Sequence, residues 1–265
     1  VLRGLWDVTL DGLVFEKCRK TAVDVESCTG VSLRACEIRH TCSWGVDVKW
    51  SYGCRVTGCD LHDLGFGGIH LSGGDPVALR PGDNVAENNH IHHYGRVLYN
   101  YRQGISLEGV GNRAVRNLIH HSAHTGIYAR GNDHYIGYNV IHDVCSFNND
   151  AGAIYVWENS WILRGGTIEH NVIHFVGKPD GAVATEGIYL DDYSSAWTVR
   201  GNFISRAARG VHVAGGQCNS VEDNVMLNCA IPVDLSTRFG WENSNKGRES
   251  RLFKEYAAKP YVTTS

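Results

Sequence analysis

Asn139-Val140-Ile141-His142 leads through a polar loop into Asp150-Ala151-Gly152-Ala153-Ile154-Tyr155-Val156-Trp157. After 32 residues Asn171-Val172-Ile173-His174 leads through another loop into Gly187-Ile188-Tyr189-Leu190-Asp191-Asp192. The chain says one thing twice. Two matched short strands, repeated at that interval, predict a stacked solenoid and not a two-layer domain.

Working outward, a first column of apolar anchors runs Phe15, Ile38, Leu61, Ile91, Ile119, Ile141, Ile173, Ile204 and Met226. Its steps are 23, 23, 30, 28, 22, 32, 31 and 22 residues, one coil of about 22 with loops grafted on some coils. A second column follows at Val23, Val46, Ile69, Ile105, Ile127, Ile154, Ile188 and Val211, in alternating runs such as Gly68-Ile69-His70-Leu71. Period two places Ile69 and Leu71 on one face and His70 on the other. Such short strands leave no room for crossover helices. The fold class they predict is all-β: a right-handed parallel β-helix, each strand pairing with its equivalent roughly 4.8 Å away in the next coil. Asn89, Asn117, Asn139, Asn171, Asn202 and Asn224 recur two residues before their anchors. Stacked along the axis, their amides would satisfy turn backbone that the strands cannot.

The solenoid is expected over residues 1–235 and a cap over 236–265. Leu252, Phe253, Tyr256 and Ala257 there stand at helical spacing, predicting a short helix over 242–258 that folds onto the last coil. No such cover is legible at Val1, where a preceding segment or a partner is expected. The 265 residues carry 43% hydrophobic content and a net charge of −3, which gives no reason to expect a nucleic-acid or membrane partner. No 18-residue apolar run spans a bilayer. Thirty-one glycines against five prolines suit a chain that turns often and keeps its backbone donors. Nine cysteines fall in no paired motif, and Cys36 and Cys59 share one repeat position. They read as buried thiols in the interior, ahead of a zinc site or a disulfide framework.

Alternation places one side chain per coil on the outer face of the second-column sheet: Asp24, Asp47, His70, Ser106, Tyr128, Tyr155, Tyr189 and His212. Two residues on, the next outward column holds Lys49, Ser72, Glu108, Arg130, Trp157, Asp191 and Ala214. Aromatics mixed with carboxylates and imidazoles suit a groove that grips sugar rings, although a tyrosine ladder tiling the sheet would look similar. Loops over 93–103, 143–151 and 175–186 all precede second-column strands and would wall the same face. Asp150 and Asp191 lie at strand edges in neighbouring coils. Their carboxyl groups are expected on the order of 5–10 Å apart, the range of a glycosidase acid and its partner. The plain alternative is that both are turn residues. The expected substrate contacts are His70, Glu108, His124, Tyr128, Arg130, Tyr155, Trp157, Glu186, Tyr189, Asp192 and His212. His62, His92, His120, His142 and His174 each follow an anchor and read as a structural ladder; no metal site or cofactor is expected.

Gly68-Ile69-His70-Leu71-Ser72-Gly73-Gly74, Asn89-His90-Ile91-His92-His93-Tyr94-Gly95, Gly131-Asn132-Asp133-His134, Asn139-Val140-Ile141-His142-Asp143-Val144-Cys145, Asp150-Ala151-Gly152-Ala153-Ile154-Tyr155 and Gly187-Ile188-Tyr189-Leu190-Asp191-Asp192 occur in this order. Together they resemble the pectin-lyase-like β-helix superfamily and, within it, the glycoside hydrolase family 141 group, whose activities include α-L-fucosidase and xylanase. The resemblance covers roughly residues 50–235. It implies that Asp150 and Asp191 are the catalytic pair. The segment after Trp157, Glu158-Asn159-Ser160-Trp161-Ile162-Leu163, departs from the Gly-Arg-Asp-Trp-Thr run expected there.

Three functions compete. The first is an extracellular or periplasmic glycoside hydrolase on plant or microbial polysaccharide. The second is a polysaccharide lyase, with Arg130 or Lys178 as base and Ca²⁺ held by Asp191 and Asp192. The third is a non-catalytic carbohydrate-binding solenoid.

Overall fold

The computed structural model describes residues 1–147, 149–158, 163–178 and 185–236. The helix expected over 242–258 lies outside them. Three parallel sheets run the length of the described chain, each built from one strand per coil. The first holds the second-column strands, from Leu2–Arg3 to Ile231–Leu235. The third holds the anchor strands, from Val14–Glu16 to Val225–Leu227.

The second sheet, Thr9–Asp11 to Ser220–Glu222, is an addition to the two strands per coil read from sequence. Its strands are mostly three residues long, and the seven between the two ends turn Leu33, Val56, Ala86, Ala114, Ile136, Ile168 and Val199 inward, all nearly sealed from solvent. One apolar residue, twice only an alanine, is too little for an alternation to register. The first sheet also carries an unforeseen hairpin, in which Ile69–Asp75 pairs antiparallel with Arg80–Pro81.

The predicted register holds throughout. Ile91 pairs with Ile119, Ile119 with Ile141, Ile141 with Ile173 and Ile173 with Ile204, and the first sheet repeats this with Ile105, Ile127, Ile154 and Ile188. All of these isoleucines are fully buried, each contributing about 2–3 kcal/mol of transfer free energy. Gly187, second in the strand Glu186–Asp192, stands where its neighbours leave no room for a side chain: a Cβ there would stand 2.5 Å from Ile204 Cγ2 and 2.7 Å from the Gly210 carbonyl oxygen.

Between the second and third sheets the chain bends at single residues of positive φ, among them Arg116, Tyr138 and His170 at 57°, 60° and 55°. The asparagine column follows directly. Asn117 Nδ2 donates to Asn139 Oδ1 at 2.9 Å and to the Ala86 carbonyl at 3.0 Å, while its backbone N–H also reaches Asn139 Oδ1 at 2.9 Å. The pattern repeats from Asn89 to Asn224. Each amide thereby satisfies backbone of the preceding coil, its Nδ2 donating to a carbonyl there and its Oδ1 accepting a backbone N–H. Upstream, Cys36 and Cys59 occupy the same position. Cys28, Cys36, Cys54, Cys59 and Cys145 are buried free thiols, whereas Cys42 and Cys218 are exposed, so the interior reading holds for some cysteines only.

On the outside of the third sheet, His62, His92, His120, His142 and His174 stack ring on ring at centroid distances of 5.1, 5.1, 4.8 and 4.8 Å, tilted by no more than 12°. This is the ladder expected from their spacing.

Candidate active site

The outer face of the first sheet carries an open trough of about 710 Å³, the size of a small-ligand cleft. Its floor is the outward column, with Asp47, His70, Ser106, Tyr128 and Tyr155 at successive rungs. One wall is Tyr101-Arg102-Gln103 from the loop over 93–103, and Asp150 reaches in from the loop before Gly152–Glu158. The loop over 175–186 falls partly outside the described residues.

Both aspartates border this trough. Asp191 pairs across the ladder with Trp157, seven residues beyond Asp150, so the two carboxylates approach from opposite ends of the strand and not from matching rungs. Tyrosines join them. Tyr155 donates its hydroxyl to Asp191 Oδ2 at 2.9 Å, and Tyr101 donates to Asp150 Oδ2 at 3.1 Å. Burial, then the charges of Asp191 and Asp150, push the Tyr155 phenol well above its ordinary pKa, so it stays a donor. Burial and the same two aspartates raise Tyr101. Asp191 Oδ1 takes the Asp192 backbone N–H at 2.8 Å, so both of its oxygens act as acceptors. Trp157 donates Nε1 to Asp192 Oδ2 at 2.9 Å, and the Arg130 guanidinium lies 5.1 Å over its ring.

At the other end His70 Nδ1 meets Asp47 Oδ1 at 2.8 Å, and Lys49 Nζ lies 2.9 Å from Asp47 Oδ2 and 3.1 Å from Asp24 Oδ1. Burial alone would raise Asp47, but the His70 and Lys49 hydrogen bonds outweigh it and lower its pKa. His70 Nε2 is sealed from solvent, with no hydrogen-bond partner among the described residues and Glu108 Oε1 at 3.7 Å.

Of the expected contacts, His70, Glu108, Tyr128, Tyr155, Trp157 and Asp192 line the trough with the two aspartates. Arg130 stands at its edge over Trp157. The other four are placed elsewhere. His124 is fully buried behind Tyr101, ring centroids 5.2 Å apart, and burial plus the Arg102 charge lower it to about 4. Tyr189 is stacked between Tyr155 and His212 at 5.2 and 4.8 Å, so the ladder consumes two rings expected to face substrate. Glu186 is buried under Arg209, its Oε1 accepting from Nη1 at 2.9 Å. Trp44, Asp47, Lys49, Tyr101, Arg102, Gln103 and Ser106 also line the trough. The outward column already pointed to Asp47, Lys49 and Ser106, whereas Trp44 and residues 101–103 follow no period.

Three parallel sheets coiled about one apolar core define a right-handed parallel β-helix. Residues 88–247, more than half the chain, match the family described as "Right handed beta helix region". The chain belongs to that family. None of the curated proteins matches its sequence. Among solved structures it is similar to a protein titled "Glycoside hydrolase" (TM-score 0.58, 18% identity, 78% of this chain and 38% of that one). It is also similar to an alginate lyase from Paenibacillus sp. str. FPU-7 (0.58, 15%, 86% and 92%). A third is the catalytic unit of a GH87 α-1,3-glucanase from Streptomyces thermodiastaticus strain HF3-3 (0.53, 14%, 91% and 50%). At these identities the likeness is one of fold, and the chain spans well under two thirds of the first and third.

Proposed function

We propose that the trough is the active site of a glycoside hydrolase acting on plant or microbial cell-wall polysaccharide, outside the cell or in the periplasm. The observation that carries this reading is the pairing of Asp150 and Asp191 around Tyr155. Two carboxylates border one cleft, and the Tyr155 phenol, raised by burial and then by the charges of both, donates to Asp191 Oδ2 at 2.9 Å. Asp191, whose oxygens both accept hydrogen bonds, has the arrangement of the nucleophile or base. Asp150, the second carboxyl of the cleft, is then the general acid. Trp157 and Tyr101 offer flat faces to sugar rings. The resemblance to family 141 and the hydrolase titles among proteins of this fold agree with the reading.

His70 favours a second reading, β-elimination from a uronate polymer. Oriented by Asp47 through Nδ1, it has the arrangement of a histidine base, with Lys49 and Arg102 as the cations of the same cleft. Of the bases expected from sequence, Arg130 is engaged over Trp157, and Lys178 is exposed and outside the trough lining. Asp191 and Asp192, the expected Ca²⁺ ligands, each already accept a ring-system donor.

Asp150→Asn and Asp191→Asn should each lower turnover on a responsive polysaccharide by about 10²–10⁴-fold while leaving the β-sheet circular dichroism unchanged. Hydrolysis releases reducing ends with no new ultraviolet absorbance. Product absorbance from a new double bond, lost in His70→Gln, would replace the hydrolase with a lyase. Glycan binding with no turnover in any variant would leave a binding module.

A further inference from the structure

On the third sheet, away from the trough, Asp60, His90 and His92 face one another. His90 pairs directly with Asp60 across the ladder, and His92, two residues on, projects from the same face of its strand. Asp60 Oδ1 lies 3.3 Å from His90 Nδ1 and 3.4 Å from His92 Nε2. That oxygen is sealed from solvent although the side chain is about half exposed, and it accepts no hydrogen bond among the described residues. A tetrahedral ion with ligands at 2.0–2.2 Å sets its donor atoms roughly 3.3–3.6 Å apart. The two measured separations match that edge.

The far sides of both rings are held as well. His90 Nε2 meets His120 Nε2 at 2.8 Å, and His92 Nδ1 meets His93 Nδ1 at 2.7 Å. Metal-binding histidines characteristically have the second ring nitrogen fixed in this way, which sets the tautomer and aims the first. The neighbouring group His121, His142 and Asp143 differs: Asp143 Oδ2 is already bonded to His142 Nδ1 at 2.7 Å.

We propose that Asp60, His90 and His92 form a binding site for a zinc-type divalent transition metal, with water completing the shell. Two imidazoles and one carboxylate suit Zn²⁺, Co²⁺ or Ni²⁺ and not Ca²⁺, which takes six or more oxygen ligands. The ion would clamp two adjacent coils, holding together Asp60 and His90, which stand 30 positions apart in the chain with the hairpin at Ile69–Pro81 between them. Its role is structural, and it stands apart from the trough.

The test is equilibrium dialysis of the chelator-stripped protein against Zn²⁺, with metal quantified by mass spectrometry, alongside visible absorption with Co²⁺. Wild type should bind one equivalent with a tetrahedral Co²⁺ spectrum, and its melting temperature should rise on Zn²⁺ addition. Asp60→Asn, nearly isosteric and folded by circular dichroism, should weaken binding at least tenfold, as should His92→Gln. His142→Gln should bind as wild type does. No stoichiometric binding by wild type, undiminished binding in Asp60→Asn, or equal loss in His142→Gln would each overturn the assignment.

Discussion

The outward faces of the first and third sheets begin from the same geometry and end differently. On the third, imidazoles stack in one unbroken column from His62 to His174. On the first, Tyr155, Tyr189 and His212 stack in the same manner, but toward Ser106 and Asp47 the rings give way to small and charged groups. There the loop carrying Tyr101-Arg102-Gln103 rises as a wall. Stacked rings are thus what a parallel ladder makes when equivalent positions repeat. A cleft needs the stack interrupted and a loop to stand opposite, and the first sheet has both.

Beneath the two faces the core is indifferent to them. Ile141→Ala and Ile154→Ala, one under each face, should both cost about 2–5 kcal/mol in denaturant unfolding. A much cheaper loss at Ile154 would mean that the trough side packs loosely. Tyr155→Phe keeps the ring in its stack and removes the hydroxyl that Asp191 accepts. It should lower kcat by about 10–100-fold with little change in Tm, an estimate from losing one hydrogen bond to a charged group. His174→Phe, the matching change in the histidine ladder, should leave kcat untouched. Equal effects would erase the distinction between the faces.

Smaller effects come from two buried groups beside the trough. Burial raises Glu158 to about 8 in the fold, against an ordinary 4.5, so the folded state holds a proton that the unfolded chain releases between those values. The stability from this group is present below about pH 4.5 and is lost as pH rises through about 8. Glu158→Gln should therefore flatten the decline in Tm between pH 5 and 8.5. His124 runs oppositely: with its pKa lowered to about 4, its contribution is present above 6.5 and lost as pH falls through about 4. His124→Gln should blunt the acid side of the same profile.

Much of the fold was legible because its repeats are carried largely by β-branched residues at equivalent positions of each coil. Ile91, Ile119, Ile141 and Ile173 announce the third sheet, and Asn117 and Asn139 announce the bend before it. Ala86 and Ala114 announce nothing, because an alanine in a three-residue strand has no apolar contrast with its neighbours. At the site, outward alternation found His70, Tyr128 and Tyr155, but it could not tell a ring facing the cleft from one spent in stacking, as at Tyr189. Tyr101 and Arg102 were out of reach because loop residues obey no period. Asp60 and His90 were hidden for another reason: a ligand set built across coils shows no sequence spacing, only a ladder register.

The most direct measurement is a crystal structure of Asp191→Asn soaked with an oligosaccharide on which the wild type acts. The account predicts a glycosidic oxygen lying between residues 150 and 191, over the Tyr155 hydroxyl, with a sugar ring flat against Trp157. A sugar bound on another face, or lying in the trough with neither residue in reach of the scissile bond, would contradict it.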